Sequence, residues 1–300
     1  MSKSLAISKG VALASLCFYA LAGGGRAHAN VLMNGWFTQP GMNGPQYCGS
    51  GWSSAAGWSQ FAVVTNSYIC TTLETNFLPR IRVETDGGDS LTAYMGNGIG
   101  QNFQPLRCAI ATFWYNVVSG QVTGNLVRSD IPAFIDFNSV LVPVPNNPLA
   151  WKHFTSIWDK GAQALYFETL SPVGLTRPAV NYQLMNTDVE GCVAAPPTKD
   201  LSPYMTTTPV AFSNDPAGPW EKIRVTNVSA LRLSGPLHAF VEGLPGRAAA
   251  NPDGDYIGTP FVNLVSSTLA PGQSEDITIY FNPDPAGVPV FHVKMVSGNF

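Results

Sequence analysis

Short segments of alternating apolar and polar residues, each ended by a turn signature, recur along most of the chain. Arg80–Thr85 alternates and runs into Asp-Gly-Gly, and residues 222–227 alternate equally clearly. A period of two places successive side chains on opposite faces of a β-strand. No segment shows the sustained period of three to four residues that an amphipathic helix requires. Because turns divide the chain into strands this short, we expect an all-β fold.

The composition favours the same fold class. Charged residues make up 12% of the chain, about half the ~25% of typical globular domains, whereas there are 29 glycines and 24 prolines. Helices carry Glu, Lys and Arg on their exposed faces, while turns between strands use Gly and Pro. A hydrophobic content of 45% in 300 residues can supply the cores of about two domains.

The first 29 residues have the organisation of an export signal. Lys3 and Lys9 precede an apolar run over residues 11–22, and residues 27–29 (Ala-His-Ala) form a small-x-small cleavage site. The apolar run is shorter than the ~20 residues of a membrane-spanning helix. No second long apolar run follows, so we expect no membrane span. We predict cleavage after residue 29 and a secreted, periplasmic or cell-surface location.

The charge left after cleavage excludes one class of partner. Residues 1–29 contain three of the 16 basic residues and none of the 19 acidic ones, so cleavage leaves a net charge of −6. Nucleic acids and anionic membranes are bound through clusters of Lys and Arg, and no such patch or stripe is visible. We therefore expect no nucleic-acid partner, and the oligomeric state stays open.

Four cysteines follow the predicted cleavage site: Cys48, Cys70, Cys108 and Cys192. An even number in an exported chain indicates two disulfides, for which three pairings exist. We favour Cys48–Cys70, which closes a short loop, together with Cys108–Cys192, which would join a strand to the end of the same domain. Four buried free thiols are the alternative.

A small, Pro-rich segment at residues 194–199 follows the last cysteine and divides the chain. We predict a first module over residues 30–193, a linker, and a second module over residues 200–300. Strand signals separated by Pro and Gly turns over about 100 residues fit a β-sandwich in the second module.

Segments of the second module resemble a known family. VTNVSALRLSGPLHAFVEGLP and LAPGQSEDITIYF resemble the immunoglobulin-like or fibronectin-like modules of bacterial extracellular proteins. The resemblance implies an immunoglobulin-like β-sandwich. Such modules are usually spacers or stabilising partners, so the resemblance implies no chemistry.

The first module resembles a galactose-binding-like jelly roll of the carbohydrate-binding-module kind. The resemblance lies in the opening VLMNGWF, in IRVETDGG and FWYNVVSGQVTGN, and in the closing VNYQLMNTDVEG. It implies a jelly-roll β-sandwich and a carbohydrate ligand. In that family an acid after the opening Phe and another in the closing strand often belong to a structural calcium site. Here Thr38 holds the first position and Met185 or Asn186 the second, which leaves Asp188 as the candidate calcium ligand; no other cofactor is implied.

Aromatic residues crowd the first module, and an exposed ring can stack on the apolar face of a sugar while amides bind its hydroxyls. Trp52 and Trp58 lie in a Gly/Ser-rich stretch between the first two cysteines, where a disulfide-held loop would expose them; burial in the core is the alternative. With Tyr47 and Asn97 they are the predicted ligand-binding residues. Trp114 lies in an apolar strand, so we expect it in the core.

Catalytic signatures are missing from the sequence. There is no G-x-S-x-G elbow, no H-E-x-x-H motif, and no pair of acids in a recognisable glycosidase pattern. We therefore predict a non-catalytic exported protein that recognises a polysaccharide or cell-envelope glycan through aromatic stacking. A structural or adhesive cell-surface protein with protein partners is the alternative, which a long exposed edge strand would favour. A glycan-active enzyme with an unrecognised site is a third hypothesis.

Overall fold

The computed structural model describes residues 30–43, 53–61, 69–74, 78–85, 98–120, 122–127, 139–141, 150–168, 180–215, 218–244, 249–250, 252–282 and 286–300. Nearly all regular structure in these residues is β-strand, with one short 3-10 turn at Ser202–Tyr204. The predicted all-β fold class is confirmed. No helix in the described part of the chain is long and apolar enough to cross a membrane.

We use first module and second module below only as labels for residues 30–193 and 200–300. The strands of the first range are β1 (Pro40–Asn43), β2 (Ser53–Ala55), β3 (Ser59–Phe61), β4 (Ile69–Glu74), β5 (Arg80–Thr85), β6 (Gly98–Leu106), β7 (Ala109–Ser119), β8 (Val122–Val127), β9 (Ser139–Leu141), β10 (Lys152–Trp158), β11 (Ala162–Glu168) and β12 (Val180–Gly191). Those that follow are β13 (Lys199–Asp200), β14 (Met205–Ser213), β15 (Trp220–Asn227), β16 (Leu233–Ser234), β17 (Leu237–Glu242), β18 (Ala249–Ala250), β19 (Gly254–Tyr256), β20 (Thr259–Asn263), β21 (Thr268–Leu269), β22 (Ser274–Phe281) and β23 (His292–Ser297).

Two large sheets take strands from both predicted modules. Sheet I has the order β13-β23-β17-β20-β19-β10-β7-β12-β5-β4, and sheet II has the order β14-β15-β22-β18-β9-β8-β11-β6-β3. The two halves of sheet I meet where β10 pairs in parallel with β19, from Thr155 opposite Gly254 to Ile157 opposite Tyr256. Sheet II is continued by a single parallel pair between β9 and β18. Both sheets therefore continue across residues 194–199. The division of the chain into two modules at this segment remains a prediction from the sequence.

Large aromatic side chains hold the two sheets together in the first module. Phe113 on β7 stacks on Phe154 of the neighbouring β10, with ring centroids 5.1 Å apart. The same ring meets Phe167, on β11 of sheet II, edge-on at 4.8 Å. All three side chains are fully buried. Burial of large apolar rings is a major favourable contribution to the free energy of folding. Because Phe113 contacts a ring in each sheet, it lies between the two sheets.

The second module has its own apolar cluster, which includes Val225, Ile279 and Leu269. A smaller apolar cluster of Phe240, Phe261 and Val296 lies on the outer face of sheet I. The linker is fixed beside this smaller cluster, because the Tyr256 hydroxyl donates a hydrogen bond of 2.7 Å to the Pro196 carbonyl.

The predicted disulfide between Cys108 and Cys192 is confirmed, with a Cα–Cα distance of 4.9 Å. It joins the residue before β7 to the residue after β12, the two strands with the longest shared pairing in sheet I. Cys70 is also disulfide-bonded. Its predicted partner Cys48 lies outside the described residues.

A buried carboxyl group lies in the β19–β20 hairpin at the junction of the modules. Asp255 is 5% exposed, and its Oδ1 accepts a hydrogen bond of 2.8 Å from the Gly258 N–H. Burial raises the pKa of Asp255 to about 7, although this hydrogen bond acts in the opposite direction. An acid with a raised pKa in the folded state destabilises the fold as pH rises from its ordinary pKa through the raised one.

We expect Asp255→Asn to become the more stable protein as pH rises from about 4 to about 7, since it keeps the acceptor for Gly258 and removes the buried charge. The difference in free energy of unfolding should approach ~4 kcal/mol above pH 7. Urea unfolding across this range measures it, with the exposed Asp159→Asn as control. Parallel pH profiles for wild type and Asp255→Asn would contradict the expectation.

Candidate functional site

Trp58, a predicted stacking residue, lies in the core. It is 6% exposed, and its ring centroid is 5.2 Å from Phe37 and 6.3 Å from Phe167. Its indole N–H lies 3.4 Å from the Asn34 carbonyl oxygen. The prediction of an exposed platform at Trp58 is therefore wrong, because the turn before β3 directs the ring between the sheets. Trp52, Tyr47 and Asn97 lie outside the described residues.

The opening segment around Asn34 is organised by side-chain amides. Asn34 has a positive φ of 54°, and its Oδ1 accepts hydrogen bonds from the N–H groups of Thr38 and Gln39 at 2.8 and 3.0 Å. Gln101 on β6 binds the Met33 N–H through Oε1 at 2.5 Å and the Met33 carbonyl through Nε2 at 2.9 Å. Neutral amides thus fix this loop, and residues 33–39 contain no acid.

This donor set does not fit a calcium ion, which prefers carboxylates and free carbonyl oxygens. The Oδ1 of Asn34 is already hydrogen-bonded, and Thr38 supplies donors toward it. Asp188 has one buried carboxylate oxygen without a hydrogen-bond partner, and burial raises its pKa. Within the described ranges no group of three or more His, Cys, Asp or Glu residues converges on a point.

Tyr166 lies on the outer face of sheet II. Its neighbours Leu165 and Phe167 are fully buried in the core, and alternation along β11 therefore directs Tyr166 away from the core. Opposite it on β6 is Gly100. A Cβ atom at Gly100 would lie 1.7 Å from Cδ1 and 2.4 Å from Cε1 of Tyr166. The Tyr166 ring thus occupies the space that a side chain at residue 100 would need. The ring therefore lies against the backbone of β6.

The orientation of the ring is fixed by a second contact. The Tyr166 hydroxyl donates a hydrogen bond of 2.7 Å to Oδ1 of the exposed Asn102. On the other side, β8 pairs with β11 and places Asn125 opposite Tyr166. We call Tyr166, Gly100 and Asn102 the Tyr166 platform. Sequence reasoning missed it, since the glycine that permits it lies on another strand.

Trp114 lies on the outer face of sheet I, and the prediction that it belongs to the core is wrong. It is 37% exposed, whereas its neighbours Phe113 and Tyr115 are buried. The alternation of β7 explains the difference, because successive side chains of a strand point to opposite faces of the sheet. Phe113 and Tyr115 point into the core, and Trp114 between them points away from it. Across the strand pair, the Trp114 ring lies 5.1 Å from the exposed ring of His153.

Polar side chains extend this face toward β5. The Glu84 carboxylate accepts a hydrogen bond of 2.9 Å from the Asn181 amide and pairs with the guanidinium of Arg82. The surrounding protein partly desolvates His153 and so lowers its pKa, and nearby Asp253 only partly offsets the shift. The lowered pKa favours the neutral imidazole, which can donate one hydrogen bond and accept another.

No protein-family model and no curated protein matches the chain. Among solved structures, a CBM4 module is 12% identical with a TM-score of 0.36, covering 53% of this chain and 98% of that chain. The CBM22-1-CBM22-2 tandem of Xyn10C from Paenibacillus barcinonensis is 13% identical with a TM-score of 0.33, covering 93% and 92%. The CBM22-1 xylan-binding domain of the same protein is 13% identical with a TM-score of 0.29, covering 45% and 85%. Identities and TM-scores this low transfer no ligand to this chain.

The burial of Trp58 gives a direct test. We expect Trp58→Ala to lower the free energy of unfolding by about 3–5 kcal/mol, since it empties a large volume between the sheets. Trp36→Ala is the control, because Trp36 is 62% exposed and its removal leaves no cavity. Urea denaturation of the two variants measures the difference, and equal midpoints would show that Trp58 is not a core residue.

Proposed function

We propose that the protein is an exported, non-catalytic module pair that binds a polysaccharide or cell-envelope glycan at the Tyr166 platform. The observation that carries the proposal is the tyrosine ring lying on Gly100 of the neighbouring strand. A ring held against the sheet in a fixed position offers a surface for the apolar face of a pyranose, which stacks on it with little loss of side-chain entropy.

The neighbouring groups suit the hydroxyls of a sugar. Asn102 is exposed and holds the Tyr166 hydroxyl, so an amide and a phenol lie at the edge of the stacking surface. Both groups are neutral and can donate and accept hydrogen bonds. The first-module half of sheet II has five strands, β9, β8, β11, β6 and β3. At about 4.8 Å between strands the face is about 19 Å wide, which favours several sugar units over one.

The remaining features of the proposal follow from the sequence. Residues 1–29 act as a signal peptide, the first module is a jelly roll, and the second is immunoglobulin-like. The Cys108–Cys192 disulfide supports an oxidising destination outside the cytoplasm. The periplasm, the cell surface and the medium are all compatible with it.

Loss of the ring tests the site. We expect Tyr166→Ala to weaken binding to the glycan selected on an array by about tenfold or more, as removal of one stacking interaction of about 1.4 kcal/mol would do. Gly100→Ala keeps the tyrosine but forces its ring off the sheet, so it should lose affinity as well. Isothermal titration calorimetry measures both.

Tyr204→Ala is the matched control, because Tyr204 is a 39% exposed tyrosine in the 3-10 turn of the second module. An equal fall in affinity in Tyr204→Ala, or an affinity and a stoichiometry that are both unchanged in the two platform variants, would remove the Tyr166 platform as a binding site.

One observation favours an adhesive protein as a second candidate function. Strand β14 is the edge of sheet II, and within the described residues it pairs only with β15. It has nine residues without a charge, and Val210 and Phe212 are 46% and 64% exposed. Uncharged edge strands present free backbone groups to other chains. Pro209 and the adjacent bulge are the features that limit such pairing.

An adhesive role predicts self-association or partner binding through β14. We then expect the mature chain to dimerise with increasing concentration, and Phe212→Lys to abolish the dimer by placing a charge on the edge. Sedimentation velocity measures this, with Val228→Lys at a 57% exposed site as control. A monomer at all concentrations, in wild type and variants alike, would contradict self-association.

A further inference from the structure

We infer that the junction of the two modules forms a second glycan-binding site, a groove on the outer face of sheet I that continues from Trp114. The groove has a volume of about 340 Å³. His153 and Thr155 of β10 form one wall, and His238, Asn263 and Phe300 lie on the other side. This site lies on a different sheet from the Tyr166 platform and does not depend on it.

His153 makes the groove continuous with Trp114. Its ring lies 5.1 Å from the Trp114 ring and also lines the groove. From β7, which carries Trp114, the order of sheet I leads through β10 and β19 to β20, which carries Asn263. Three strand spacings of about 4.8 Å give a span of about 14 Å. A surface of this length accommodates a short run of sugar units, with the tryptophan at one end.

Asn263 offers a polar group whose position is fixed. Its side-chain amide lies 2.6 Å from Nδ1 of the buried His238, and the other ring nitrogen lies 3.0 Å from the Gly298 carbonyl oxygen. The Asn263 backbone N–H donates a hydrogen bond of 2.6 Å to the Asp253 carboxylate. His238 therefore contacts one polar atom of the Asn263 side-chain amide. The second polar atom of this exposed amide can bind a ligand.

The two walls of the groove are tied together across the modules. Lys152 of β10 forms a 3.0 Å ion pair with Asp253, which precedes β19. The Thr155 N–H donates a hydrogen bond of 3.1 Å to the Asp253 carbonyl. With the parallel β10–β19 pairing, these contacts hold β10 and β20 at a fixed separation. A preformed groove loses little entropy when it binds a ligand.

The lining specifies a neutral ligand. None of the side chains that line the groove is an acid, a lysine or an arginine. The polar groups are two hydroxyls, one amide and two imidazoles, and the apolar surface comes from Val265, Phe300 and the flanking Trp114. Flat aromatic surface beside neutral donors and acceptors is the combination that recognises an uncharged oligosaccharide segment. A phosphate, a nucleic acid or an acidic peptide would find no countercharge here.

The test uses the mature chain with soluble xylan, β-glucan and mannan as probes, in affinity gel electrophoresis and calorimetry. We expect Tyr166→Ala to retain binding at the groove. Adding Trp114→Ala to that variant should weaken the residual binding by about tenfold or more, while adding Trp114→Tyr, which keeps a ring, should preserve most of it. Val118→Ala is the matched control, because Val118 lies on β7 and is 38% exposed.

The outcomes separate the two sites. Equal residual affinity in Tyr166→Ala/Trp114→Ala and Tyr166→Ala/Val118→Ala would overturn the groove. Loss of all binding in Tyr166→Ala alone would overturn it too, and would leave the Tyr166 platform as the single site. Loss of all binding in Trp114→Ala alone, with Tyr166→Ala unchanged, would support the groove and remove the platform. An oligosaccharide stoichiometry of two per chain that falls to one in either single variant supports both sites.

Discussion

The parallel pairing of β10 with β19 is the constraint on which the arrangement of the protein depends. β10 is joined to β7 on one side by seven antiparallel residue pairs and to β19 on the other by three parallel ones. It therefore has no free edge along Thr155–Ile157, and its backbone polar groups are satisfied from both modules. Because of this strand, sheet I is one surface from Trp114 to the second-module strands, and residues distant in sequence can share a groove.

The all-β architecture and the Cys108–Cys192 pair could be predicted because both depend on local information. Alternation in β5 and β15 fixes which side chains face the core, and an even cysteine count in an exported chain indicates disulfides. The sequence of β10 by itself does not distinguish a strand from a helical turn, since its apolar residues are unevenly spaced. The structure explains this pattern: Phe154 and Trp158 face the core, while Ile157 on the opposite face is buried beside the second module. A strand covered on both faces loses its alternation.

The candidate site was harder to predict, because exposure was inferred from neighbouring composition. The Gly/Ser-rich surroundings of Trp58 suggested an exposed loop, yet a turn directs the ring into the core. The apolar surroundings of Trp114 suggested burial, although alternation with Phe113 and Tyr115 in the same strand predicts the opposite. Tyr166 could not be identified from sequence at all, since its role depends on the register that places Gly100 opposite it. Register between distant strands is set by the whole fold.

The disulfide also determines how the molecule would carry tension. A protein anchored through one module and loaded through the other is stretched along its backbone, and the shortest covalent path crosses from Cys108 directly to Cys192. The intervening segment, a sequence separation of 84 residues, lies outside that path and bears no extension. It contains β7, β10 and β11, and with them Trp114, His153 and Tyr166. When a force acts between the two modules, the strands that carry these three side chains would not be unfolded by extension while the S–S bond is intact.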